Sequence, residues 1–235
     1  MSCYGPLAAW YDQLTGDVPY SQFADFYEAE FRRMGGEFRL LLDLCCGTGT
    51  LTCEMARRGY EMIAVDSSPD MLMQAQEKAA GLETPPLFIC QDAEDLDLYG
   101  TVDAAYCSLD GMNYLPPDTL PELFRRLKLF IRPGGLLIFD IRPEDWLRAL
   151  DEKDDVLCLW RADLDAEAQA IVYGMDIFSR RGRLWERSSE EHVEYAHSEE
   201  ALRTLMERNG FSDIRFRSDC PQGGAGRVFV TAERT

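Results

Sequence analysis

The 235-residue chain is 46% hydrophobic and carries 42 acidic against 24 basic side chains, a formal net charge of −18. That length and apolar content can bury a full core in one domain with an elaboration, and no apolar run approaches the roughly 18 residues needed to span a bilayer. The acidic balance argues against a polynucleotide partner, whose phosphates call for clustered Lys and Arg.

With no basic, apolar leader pattern at its N-terminus, the chain is expected in the cytoplasm. Its eight cysteines, at positions 3, 45, 46, 53, 90, 107, 158 and 220, contain no C-x-x-C pair and read as buried thiols of a reducing compartment. Neither a zinc site nor a disulfide framework is expected from them.

Residues 1–36 read as helical and rich in aromatics: Tyr4, Trp10, Tyr11, Tyr20, Phe23, Phe26, Tyr27 and Phe31. A stripe at helical spacing can equally be core packing. Leu40 to Thr50, LLLDLCCGTGT, is an apolar strand ending in Asp43 that runs into a turn of small residues with Gly47 and Gly49, where backbone must come close to a ligand. A helix from Leu51 to Arg58 follows, then a short strand, Met62 to Val65, ending in Asp66. An acid about 20 residues beyond such a turn is placed to take ribose hydroxyls. Ser68 and Pro69 supply the cap and first position of the next helix, which leaves Asp66 for a ligand.

Thr52 stands where a dinucleotide fingerprint has its third glycine, which weakens that reading, and no Gly-Lys-Ser/Thr follows the turn, which removes the P-loop. Thr50 is expected to tolerate replacement by valine. Helix Asp118 to Phe130 carries an apolar stripe of Leu120, Leu123, Phe124, Leu127 and Phe130, and Pro133-Gly134-Gly135 turns the chain into strand Leu136 to Ile141. From Val156 to Tyr195 the pattern is β-prone, with Arg181-Gly182 as a hairpin turn and Arg180, Arg181, Arg183 and Arg187 as solvated flanks. Ser198 caps a helix over Glu199 to Asn209 that Gly210 ends, and strands Ile214 to Ser218 and Arg227 to Thr231 close the chain.

LLLDLCCGTGT resembles motif I, D-x-G-x-G-x-G, of the class I S-adenosylmethionine (SAM) dependent methyltransferases, with Asp43, Gly47 and Gly49 matching and Cys45 in place of the first glycine. Four more segments extend the likeness in order and spacing over roughly residues 37 to 142: AVDSSPDML, FICQDAEDL, DAAYCSLDGMNYL, and LFRRLKLFIRPGGLLIFDI. The resemblance implies an α/β fold, a doubly wound Rossmann-like seven-stranded and mostly parallel sheet with an antiparallel last strand, plus an inserted antiparallel β segment. It divides the chain into a helical lid (1–36), a SAM-binding core (37–150), a β insertion capping the substrate (151–198), and a closing helix and hairpin (199–235).

It further implies SAM as cofactor, with Asp66 on the ribose, Ser67 or Met71 against adenine, Asp92 accepting from the adenine amine, Ala93 supplying an amide, and Cys107 on the fourth-strand motif beside the reacting methyl. YGPLAAWYDQLTGDVPY resembles the lid of small-molecule methyltransferases, which makes Tyr11 and Tyr20 cofactor-facing, with Tyr4 a further candidate. If the acceptor must lose a proton, the candidate bases are Asp110, Tyr11 and His192, although His192 in SSEEHVEY also reads as an exposed strand residue and His197 as a helix-flanking one. The expected partner is a small-molecule acceptor, and the chain a monomer or homodimer. A non-catalytic SAM-binding regulator and a dinucleotide-dependent oxidoreductase remain as alternatives.

Overall fold

The computed structural model describes residues 5–142, 151–153, 156–165, 170–181, 184–221 and 226–235. Tyr4, Gly182 and Arg183 lie outside these, as do Cys3 and the side chain of Cys158. Two short helices, α1 (Gly5–Ala8) and α2 (Tyr11–Leu14), precede α3 (Tyr20–Met34). Strands and helices then alternate: β1 (Leu40–Leu44), α4 (Thr50–Arg57), β2 (Glu61–Asp66), α5 (Pro69–Ala79), β3 (Leu87–Cys90), β4 (Val102–Cys107), α6 (Leu120–Phe130) and β5 (Ile131–Ile141). A run of strands follows, β6 (Asp151–Lys153), β7 (Val156–Asp165), β8 (Ala170–Arg181) and β9 (Leu184–Tyr195), before α7 (Glu199–Arg208), β10 (Phe211–Arg217) and β11 (Val228–Arg234) close the chain.

The main sheet has seven strands in the order β10-β11-β5-β4-β1-β2-β3. β1 to β5 are mutually parallel, and β11 runs antiparallel to both β5 and β10. Strand order reverses between β1 and β4, so the crevice beyond the carboxyl ends of these strands is where an open α/β sheet receives a ligand. Strands β6 to β9 form a separate antiparallel sheet inserted between β5 and α7.

Side chains alternate across a strand, so neighbouring apolar residues serve opposite faces. Leu41, Ala104, Tyr106, Leu136 and Ile138 pack beneath α3 and α4, whereas Leu42, Ala105, Leu137 and Phe139 pack beneath α6 and α7. Phe23, Tyr27 and Phe31 of α3 are buried in the first of these layers. Of residues 1–36, expected as a lid, α3 is part of the core layer.

Ser68 Oγ accepts from Met71 N at 3.3 Å and Ser198 Oγ from Ala201 N at 3.2 Å, so both helix caps form where the sequence has them. Pro133-Gly134-Gly135 is absorbed into β5 as an irregularity opposite β4, with Gly134 at φ +72°. The cysteines are more varied than expected. Cys53 and Cys107 are buried, Cys45, Cys46 and Cys220 half-buried, and Cys90 is exposed at the end of β3.

Gly49, at the start of α4, has φ +67°, and a Cβ there would stand 2.9 Å from the Cβ of Ala75 on α5. It is the glycine that lets two helices meet. Gly49→Ala should destabilise the protein by about 1–3 kcal/mol, through overpacking and an unfavourable φ. A urea titration would show this as a lower midpoint at unchanged slope, and an unchanged midpoint would remove the packing role.

Candidate functional site

A cavity of about 330 Å³ opens at the carboxyl ends of β1, β2 and β4, within the range of small-ligand sites. Its floor is the turn after β1. Cys45, Cys46, Gly47, Thr48 and Thr50 line it, and so does Asp43. Cys45 has φ +57° and Gly47 φ +54°. Thus the residue standing for the motif's first glycine adopts a left-handed conformation despite its side chain, a strained state that persists only where surroundings enforce it. A Cβ on Gly47 would meet nothing within 4 Å, which leaves backbone exposed to the cavity. Gly49 does not line it and serves packing instead.

Asp43 is buried and accepts from Thr52 Oγ1 at 2.5 Å. Thr52 thus fills the place of a dinucleotide fingerprint's third glycine with a hydroxyl committed to the strand acid. Burial raises the Asp43 carboxyl to about 7, against the lowering influence of Thr52.

Asp66, at the end of β2, accepts from Gly47 N at 2.8 Å and Ser68 N at 2.9 Å, and burial raises its pKa. Two amides fix this carboxylate at the cavity wall, where Ser67 and Met71 join it. Beyond β3, Asp92 and Ala93 complete that end together with Gln91 and Glu94. Asp92 is exposed and leads into the 3-10 turn Ala93–Asp95 without a side-chain cap bond, so its carboxylate faces the opening uncommitted. Of the expected cofactor residues, Tyr11, Tyr20, Asp43, Cys45, Gly47, Asp66, Ser67, Met71, Asp92 and Ala93 are brought together here. Cys107 is not. It is buried behind the wall, hydrogen-bonded to Cys45, and that bond, together with burial, raises its thiol well above its usual pKa.

The opposite end is the tip of β4, with Ser108, Leu109, Gly111 and Tyr114 lining the cavity. Leu109 and Asp110 are both left-handed, at φ +55° and +56°. Asp140, fully buried on β5, holds them there, accepting from Leu109 N and from Asp110 N at 2.9 Å each. Arg227 donates to Asp140 and, at 2.8 Å, to Asp110, which also takes Arg142 Nε at 3.0 Å. Burial would raise the Asp110 pKa, but these two guanidiniums hold it below its usual value.

Asp110 is therefore a paired structural carboxylate, the reverse of a base poised near neutrality, and the expectation for it is corrected. His192 is corrected on two counts. It is fully buried rather than exposed, and it lies behind Tyr114, ring centroids 5.9 Å apart, with Nε2 3.1 Å from Glu190 Oε2. His197 Nε2 meets the carbonyl of Met112 at 3.1 Å.

The N-terminal segment roofs the cavity. Tyr11 and Tyr20 line it, and burial, with Tyr20, Asp110 and Asp66 nearby, pushes the Tyr11 hydroxyl above its usual pKa. Asp12 Oδ1 accepts from Thr48 Oγ1 at 2.6 Å and Thr50 Oγ1 at 3.2 Å, and its Oδ2 pairs with Lys78 Nζ at 2.7 Å. Partial burial works against ionisation of Asp12, but Lys78 and Thr48 bring its pKa below the usual value. Thr50 also bonds Lys78 Nζ, so it ties roof to floor, contrary to the tolerance expected for it. On the other side, Leu7 N donates to Glu190 Oε1 at 2.8 Å, and Leu7 and Leu14 pack on Met175 and Ile177 of the inserted sheet. Sequence reasoning missed Lys78, Arg227 and Tyr114, whose partners are distant in the chain.

Known proteins agree with this geometry. A family model described as methyltransferase domain matches residues 41–135, the segment from β1 into β5. "Putative methyltransferase YqeM" of Bacillus subtilis (strain 168) is 26% identical over 99% of this chain and 97% of its own length. A SAM-dependent methyltransferase from Clostridium acetobutylicum superposes with a TM-score of 0.86 at 27% identity, over 99% of both chains. The chain belongs to the class I SAM-dependent methyltransferases. The fold is shared further, with the sugar N-methyltransferase KedS8 from Streptoalloteichus at TM-score 0.81 and 19% identity, over 95% of this chain and 92% of that one.

SAM is the cofactor, and the cavity fits it. The open space before Gly47, the fixed Asp66 carboxylate and the uncommitted Asp92 suit an adenosine group, and the acidic lining suits a cationic sulfonium. Among the described residues, no helix is long and apolar enough to cross a membrane.

Asp66→Ala should weaken SAM binding at least tenfold with the fold intact, since charge-assisted hydrogen bonds contribute about 1.5–3 kcal/mol each. Calorimetry checks this, and a smaller loss would remove the ribose role. Asp43 carries a pH signature. An acid raised in the folded state favours folding below its unfolded pKa and loses that contribution as pH rises through about 7. The melting temperature of the cofactor-free protein should therefore fall between about pH 4 and about pH 7, more steeply in the wild type than in Asp43→Asn. Equal slopes would mean an ordinary carboxylate.

Proposed function

We propose that the chain methylates a small-molecule acceptor held at the β4 end of the cavity, beneath the N-terminal lid and against the inserted sheet. The observation that carries this reading is one cavity running from Asp66 and Asp92 to Ser108, Leu109, Gly111 and Tyr114, roofed by Tyr11 and Tyr20 and about 330 Å³ in volume. A site of that size is of small-ligand scale. The net charge of −18 works against nucleic acid in the same direction.

Bound SAM supplies a methyl group already activated on sulfonium. The protein's remaining tasks are to align the acceptor and exclude water. In this reading Asp66 takes the ribose hydroxyls and Asp92 with Ala93 takes the adenine edge. Gly47 admits the cofactor against bare backbone, and Ser67 and Met71 pack beside the base. Tyr11 and Tyr20 close over the reacting end. With its hydroxyl pKa above the usual value, Tyr11 stays protonated near neutrality, which makes it a hydrogen-bond donor to the acceptor and not a base. Asp12 holds the closed roof by its contacts to Thr48, Thr50 and Lys78.

The test is to supply methyl-labelled SAM and the purified chain to a cell extract separated into dialysable and macromolecular fractions. Label should accumulate in the dialysable fraction, with none above background in protein or RNA. Label confined to macromolecules would overturn the small-molecule reading while leaving the methyltransferase assignment in place.

A further inference from the structure

At the tip of β4 a core tyrosine reaches the cavity wall. Tyr27 of α3 is fully buried, its ring centroid 4.9 Å from that of Tyr106 and 5.9 Å from that of Phe26, yet its hydroxyl ends 2.6 Å from Ser108 Oγ. Ser108 is half-buried and lines the cavity. The bond therefore runs from the apolar layer under α3 into the site.

Tyr27 is the donor of that bond. A buried hydroxyl hydrogen without an acceptor is costly, and among the described residues Ser108 Oγ is the hydrogen-bond partner of the Tyr27 oxygen. Burial, then the charge of Asp140, raises the Tyr27 hydroxyl well above its usual pKa, against the lowering influence of Ser108, so it keeps the proton it donates. Ser108 Oγ, accepting on the core side, has its own hydrogen left for the cavity side. A hydroxyl that accepts one hydrogen bond donates the next more strongly.

The backbone of Ser108 is held as well. Leu109 and Asp110 follow it in left-handed conformation under the grip of Asp140, and its carbonyl accepts from Gly111 N at 3.4 Å. Asp43 pairs with Tyr106 across β1 and β4, and Cys45 and Ser108 each follow that pair by two positions. Ser108 thus stands beside the first turn, at the end of the cavity away from Asp66 and Asp92.

We propose that Ser108 grips the methyl acceptor, its hydroxyl donating to an oxygen or nitrogen lone pair of that molecule, and that Tyr27 is the residue that aims it. The inference rests on the small-molecule reading of the same cavity and deepens it by naming what the acceptor must carry: a hydroxyl, a carbonyl or an uncharged amine near the atom that receives the methyl. Such a contact fixes the angle at which the acceptor meets the sulfonium carbon. Ser108 touches the acceptor, whereas Tyr27 acts through Ser108 as a positioning residue.

The experiment uses the full chain, methyl-labelled SAM and the dialysable fraction of a cell extract diluted in steps, which yields a half-saturating amount of extract and a maximal rate. Ser108→Ala should raise the half-saturating amount about fivefold to tenfold, the scale of one lost hydrogen bond, while calorimetry shows SAM affinity unchanged within about threefold. Tyr27→Phe keeps the ring and its packing. It should raise the half-saturating amount about threefold in the wild-type background and leave it unmoved in Ser108→Ala, since residues that act through one another are not additive. A merely structural tyrosine would add its effect in both backgrounds, and that result overturns the positioning role. SAM affinity that falls tenfold or so in Ser108→Ala assigns the hydroxyl to the cofactor and overturns the grip on the acceptor, as does an unchanged half-saturating amount. No labelled dialysable product from the wild type overturns the small-molecule reading and this one with it, before any variant is compared.

Discussion

The site depends on one buried ion pair, Asp140 with Arg227. Both oxygens of Asp140 accept the amides of Leu109 and Asp110, and the guanidinium that neutralises it also reaches Asp110. Two successive non-glycine residues in left-handed conformation store of order 1–3 kcal/mol each. They persist because the surroundings leave the chain no better path. The pair joins the ends of β4 and β5 to the segment entering β11, and in doing so presents Ser108, Leu109 and Gly111 to the cavity. Removing one partner of such a pair strands a charge, at a cost of about 3–5 kcal/mol, and it would release the cavity wall at the tip of β4.

The turn itself depends on small residues used for different ends. A Cβ on Gly111 would fall 2.8 Å from Cys107 Sγ and 3.0 Å from Cys45 Cβ, so Gly111 lets the β4 tip lie directly on the first turn. Gly49 does the same between α4 and α5, whereas Gly47 keeps backbone bare toward the cavity. Three glycines of one constellation thus answer three separate steric demands. A cysteine suffices at position 45 because its thiol packs with Cys107 in the space that Gly111 leaves.

The parts of the structure that were legible in the sequence are those built from local contacts. The Gly-rich turn, the acid ending β2, the caps at Ser68 and Ser198 and the apolar stripe of α6 each involve residues within a few positions of one another, and each stands where expected. The parts that were illegible join distant segments. Arg227 and Asp140 are 87 residues apart, Asp12 and Thr48 are 36 apart, and no pattern around either announces its partner. His192 and Glu194 were hidden in another way. They sit in a charged run that reads as solvated, and their shared face is interior because Tyr114, at the end of the 3-10 turn Gly111–Tyr114, and the N-terminal segment pack on that side of the inserted sheet. The aromatics of residues 1–36 divide for the same reason, since helical spacing cannot tell the sheet-facing Tyr27 from the cavity-facing Tyr20.

The N-terminal segment is fastened at both ends of the cavity, to Lys78 and the β1 turn through Asp12 and to the inserted sheet through Leu7 and Leu14. A movement of this segment away from the cavity would break an ion pair and uncover an apolar patch together. Salt and temperature act on those two contacts in different ways, since ions screen the half-exposed Asp12–Lys78 pair but strengthen apolar association. The hold of this segment on the cavity is thereby a balance that ionic composition can move.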